Sequence, residues 1–103
     1  MPDLTCTSRR IGDYESRTEE YELSFALGDT EPRKLEVKYQ AARAFEINAA
    51  LDSAVETARE AISVSNPDLA GKPTDESLAK FSWRAVQSVK YDEGASKTSH
   101  LPL

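Results

Sequence analysis

The sequence predicts an α+β domain: an antiparallel β-hairpin or three-stranded meander, then a long helix, a Pro/Gly loop and a second helix packed on one sheet face. Three observations carry this expectation. Apolar and polar residues alternate over residues 20–40, apolar residues recur at steps of three and four over 41–64, and a loop at 66–73 separates that run from a second helical pattern.

In the hairpin, Tyr21, Leu23, Phe25 and Leu27 alternate with Glu20, Glu22, Ser24 and Ala26, and Leu35, Val37 and Tyr39 alternate with Lys34, Glu36 and Lys38. This period of two gives one buried and one wet face. Residues 28–32, Gly-Asp-Thr-Glu-Pro, are turn chemistry. A five-residue loop there pairs Phe25 with Leu35, Leu23 with Val37 and Tyr21 with Tyr39, and sets Glu22 opposite Lys38. Upstream, residues 4–11 alternate weakly (Leu4 and Cys6 against Thr5 and Thr7) and suit a third strand turning back near Gly12 and Asp13.

From residue 41 the pattern is helical. Ala44, Asn48, Leu51, Val55, Ala58 and Ile62 form the inward stripe, with Phe45, Ile47, Ala54 and Ala61 beside it. Neither Gly nor Pro interrupts the run, which ends before Pro67. Thr74 then reads as an N-cap ahead of Asp75 and Glu76, whose charges suit a helix N-terminus. Leu78, Phe81, Ala85 and Val89 continue at helical spacing. Residues 81–91 also share strand parity through Phe81, Trp83, Ala85, Val89 and Tyr91, but Gln87 spoils that face and the cap favours helix. The domain is expected to span residues 1–91, with 92–103 a disordered tail.

The chain has 103 residues and a formal net charge of −5. Leu, Ile, Val and Phe make up about a fifth of it, so the core is modest. Cys6 is the only cysteine, which excludes an internal disulfide. The N-terminus lacks the apolar stretch of a secretory signal, no run suits a membrane span, and neither asparagine opens a glycosylation sequon. These features lead to the expectation of a cytoplasmic protein.

Catalytic constellations are missing from the pattern. The one histidine, His100, lies near one terminus and Cys6 near the other, which argues against a nucleophile–base pair. One Cys and one His exclude a zinc cage within one chain. Asp13, Glu15, Glu19, Glu20 and Glu22 are dense but lack the spacing of a calcium loop. The four glycines are scattered, and Gly71-Lys72 before Thr74 is interrupted by Pro73 and lacks the upstream Gly, so it is a weak signal for a phosphate loop. Every Asp and Glu reads as outward-facing or in a turn. No cofactor is expected.

Contact surface is easier to find. On a helix with Phe81 inward, Trp83 lies ~200° away and faces outward beside Arg84 and Gln87; on a rotated helix or a strand it is core, and the core reading is ahead. Lys80 and Arg84 share a face. The hairpin edge, partly defended by Lys34, Glu36 and Lys38, and the Ala-rich first helix suit self-association. The sequence therefore leads us to expect a non-enzymatic protein–protein interaction module, an accessory or assembly component binding another protein or itself. Trp83, Arg84, Lys80 and Gln87 are its candidate contacts. The alternatives are a small regulator touching nucleic acid through residues 74–91, argued against by a charge balance of zero over 66–103, and an enzyme without a recognisable motif.

Overall fold

The computed structural model describes residues 3–11, 17–92 and 94–103. The elements run β1 (Asp3–Ile11), β2 (Thr18–Leu27), β3 (Arg33–Gln40), α1 (Ala44–Ser65), a 3-10 turn (Pro67–Leu69), α2 (Asp75–Ser88) and β4 (Ser96–Pro102). The strands form one antiparallel sheet in the order β3-β2-β1-β4, and both helices pack on one of its faces. The fold is α+β. The turn near Gly12 and Asp13 lies outside the described residues.

Alternation places the faces. Leu4, Cys6, Tyr21, Leu23, Phe25, Val37 and Tyr39 are buried against Ala54, Val55, Ala58 and Ile62 of α1 and Leu78, Phe81, Ala85 and Val86 of α2. Ser8 occupies a core position because its hydroxyl donates to the Ala85 carbonyl of α2 at 2.8 Å, which satisfies both groups. The opposite face carries Thr5, Thr7, Arg9, Glu20, Glu22, Ser24 and Lys38, and it is laced by Arg9–Glu22 (3.4 Å) and Lys38–Glu20 (3.1 Å) ion pairs. Residues 75–88 are helical, with the Thr74 hydroxyl accepting from the Ser77 amide at 3.0 Å.

The hairpin register differs from the expected one by two residues. Leu23 faces Leu35, Tyr21 faces Val37, Glu20 faces Lys38 and Glu22 faces Glu36. The strands are still joined by residues 28–32, but the turn centres on Asp29, one residue earlier than expected, where Gly28 takes a left-handed φ of +67° and Thr30 Oγ1 donates to the Leu27 carbonyl at 3.0 Å. A slip of two keeps every side chain on its face and changes only its partners. One new pairing has consequences: Glu19 now sits opposite Tyr39 on the core face.

The expected disordered tail is also corrected. Residues 96–102 form β4 beside β1, with Leu101 opposite Leu4, and Leu101 and Leu103 pack against the core. Thr7 and Thr98 join across the outer face at 3.0 Å between hydroxyls. Without β4, the apolar edge of β1 would lie open.

Burial holds the Cys6 thiol well up, to about 12, against a smaller opposing effect of a backbone hydrogen bond from Ser24. Native protein is accordingly expected to resist a thiol-specific disulfide reagent at mildly alkaline pH and to react fully once unfolded in urea. Rapid labelling of the native form would contradict the placement of Cys6.

Candidate functional site

The most concentrated polar chemistry lies inside the sheet–helix layer. Arg10 faces Tyr21, and Glu19 faces Tyr39, all on the core side. Arg10 Nη1 lies 3.5 Å from Glu19 Oε1, and the two side chains are only 2% and 5% exposed. The Tyr21 hydroxyl donates to the same Glu19 oxygen at 2.7 Å, and Arg10 Nη1 donates to the Lys90 carbonyl beyond α2 at 3.0 Å. The guanidinium carbon sits 5.5 Å from the centroid of the Tyr21 ring, which stacks on Tyr39 at 6.0 Å. The sequence-based expectation that every carboxylate faces outward is thus corrected at Glu19. A pair so enclosed presents no group to solvent. It clamps β1, β2 and the end of α2 together.

Burial dominates the two tyrosines. It pushes Tyr39 up to about 12, assisted by the Glu19 charge and partly offset by Tyr21 and Arg10. Tyr21 is raised further, by burial and by donation of its hydroxyl to Glu19. A phenol held above its unfolded value near 10 contributes stability that is complete below that pH and is lost as pH rises through the folded value. The Tyr39 hydroxyl has no hydrogen-bond partner among the described residues. Tyr39→Phe is therefore expected to change stability by less than about 1 kcal/mol at neutral pH. It should also flatten the loss of stability between pH 10 and about 12. Urea titrations on both sides of that window check this.

Outside the core, the first turns of α1 depart from the predicted stripe. Ala44 and Asn48 are exposed, while Ile47, Ala50 and Leu51 are half-buried over a small cleft lined by Leu23, Val37, Tyr39, Trp83 and Val86. Phe45 stands 67% exposed. At a spacing of four it shares a helix row with Ala49 and Ser53. Ala49 and Ser53, with Glu46 and Ala50, line a groove along the β3 edge at Glu36 and Lys38.

The four predicted contact residues do not converge. Trp83 is half-buried, its ring 6.1 Å from Tyr39, and it lines a small apolar cleft with Ile47, Ala50 and Leu51. Trp83 thus lies nearer the favoured core reading than the outward alternative: it packs against the core with part of its surface exposed. Lys80 and Arg84 are exposed on the other flank of α2, beside Leu101 of β4, and Lys80 is paired with Glu76 at 3.0 Å. Gln87 is exposed. Sequence reasoning missed Phe45 as a surface residue, since it counted this side chain beside the inward stripe.

Other candidates resolve simply. β4 brings His100 opposite Thr5, one strand from Cys6, but His100 lies on the wet face and Cys6 in the core. The loop before α2 is fastened by Arg59, which donates to the carbonyls of Ala70 (2.7 Å) and Pro73 (2.9 Å) and pairs with Asp75. Among the described residues, no group of three or more His, Cys, Asp or Glu is placed to hold a metal ion, and no helix is long and apolar enough to cross a membrane. Asp13 and Glu15 lie outside the described residues. Comparison with protein-family models, curated proteins and solved structures finds no match to this chain.

Proposed function

We propose that this chain is a non-enzymatic protein-interaction module, an accessory or assembly component of a cytoplasmic complex, working through the first turns of α1 and the adjoining β3 edge. The observation that supports this reading is Phe45, a large aromatic 67% exposed one helical turn before Ala49, which lines the groove at that edge. A chain with so few large apolar residues gains more by burying Phe45 than by leaving it in water, at roughly 1.5–3 kcal/mol for a fully buried side chain. Aromatic residues are also enriched where partners dock. The groove beside it combines small side chains on α1 with both signs of charge on β3, which suits a protein better than a polyanion.

A photo-crosslinking amino acid at position 45, expressed in the native host, tests the reading. A discrete adduct is expected at 45 and none at exposed Asp68, on the 3-10 turn. The absence of any adduct at 45, or equal labelling at both positions, would contradict it.

A further inference from the structure

The two open edges of the sheet are unlike. β4 ends on Pro102, which has no backbone donor, whereas β3 runs for eight residues without Gly or Pro. Such an edge carries an unpaired row of donors and acceptors, which here stops before Gln40, whose amide donates to Glu46 Oε2 at 2.7 Å and whose carbonyl accepts from the Arg43 amide at 3.0 Å. Its wet-face charges alternate as Lys34, Glu36 and Lys38. Glu36 lies opposite Glu22, whose charge is already bridged by Arg9, and Glu36 has no ion pair among the described residues. The edge therefore displays an unmatched carboxylate flanked by two ammonium groups.

This pattern is complementary to itself in one register. We propose that the β3 edge pairs antiparallel with the same edge of a second copy, about a twofold axis at Val37. Glu36 of each chain then faces the second copy's Lys38, and Leu35 faces Tyr39 on the core side. Residues 35–39 pair without a proline, and Lys38 is shared between Glu20 of its own chain and Glu36 of the other. An axis at Glu36 would oppose Glu36 to itself and Lys34 to Lys38. An axis at Leu35 would set the second copy's charged Arg33 against Val37 on the core side. Registers offset by one residue would place core side chains on the wet face. The same axis sets α1 antiparallel to its copy, where the small Ala49 and Ser53 allow approach and Phe45 is covered. The proposal rests on the interaction-module reading and names its partner.

Charge exchange tests it, with mass read by light scattering at micromolar concentration. The wild-type chain is expected at twice 11.4 kDa. Glu36→Lys and Lys38→Glu, each alone, place like charges opposite one another at two positions and should weaken the dimer about tenfold or more. Mixing the two variants sets a lysine opposite a glutamate again at both of these positions, and should restore the dimer; this recovery also shows that both variants fold. A monomeric wild type would overturn the proposal, as would single variants that dimerise like the wild type. Loss of the dimer in Glu36→Lys and Lys34→Glu but not in Lys38→Glu would move the axis to Leu35 and overturn the Val37 register. A monomeric wild type that still gives a heterologous adduct at position 45 overturns self-pairing alone; no adduct of any kind overturns the broader reading as well.

Discussion

Replacing Arg10 by alanine is expected to cost about 3–5 kcal/mol of folding stability, because it strands the Glu19 carboxylate in the core. That is a large share of the roughly 5–15 kcal/mol by which a small domain is stable. Arg10 and Glu19 are 2% and 5% exposed, so water cannot replace the missing guanidinium. The Tyr21 hydroxyl supplies one hydrogen bond to Glu19 at 2.7 Å, too little to offset a bare charge. Replacing both partners together, as Arg10→Met with Glu19→Leu, removes the desolvation cost along with the attraction and should lie much closer to the wild type. Urea unfolding of the single and double variants measures the difference. A mild effect of Arg10→Ala would mean that the pair is solvated in solution.

Ending the chain before Ser96 is the second change with a large expected effect. It removes the whole β4 ladder from β1 and uncovers Leu4, which is fully buried and lies opposite Leu101. Loss of two half-buried leucines and of the ladder hydrogen bonds is expected to cost roughly 3–6 kcal/mol. The β1 edge left open is apolar on its core side and prone to pairing between chains. Thermal melts and soluble yield should both fall sharply against the full chain. A truncated chain that melts with the wild type would contradict the structural role of β4.

Much of this architecture is legible in the sequence because it is local. Alternation from Tyr21 to Leu27 and from Leu35 to Tyr39 fixes the faces of β2 and β3, and Thr74 with its acidic first turn fixes the start of α2. The register escapes periodicity, since a slip of two preserves every face; it is decided by the conformation of Gly28 and the Thr30 hydrogen bond. Glu19 carried a readable signal, as it continues the parity of Tyr21, Leu23 and Phe25, and Arg10 continues that of Leu4, Cys6 and Ser8. What hides the pair is that its partners come from separate strands. β4 is hidden for a similar reason: a short polar strand takes its order from β1, more than 90 residues away in the case of Thr7 and Thr98. Phe45 falls beside the helical stripe by spacing, yet it lies about 200° round α1 from the inward Ile47 and so points away from the sheet.

Amide hydrogen exchange along β3 tests most directly whether its edge is the working surface. In the wild type, the amides of residues 35–39 that are not bonded to β2 are expected to exchange slowly at high concentration. In Glu36→Lys they should exchange rapidly while β4 is unchanged. Rapid exchange of those amides in both proteins would show an uncovered edge and contradict the account.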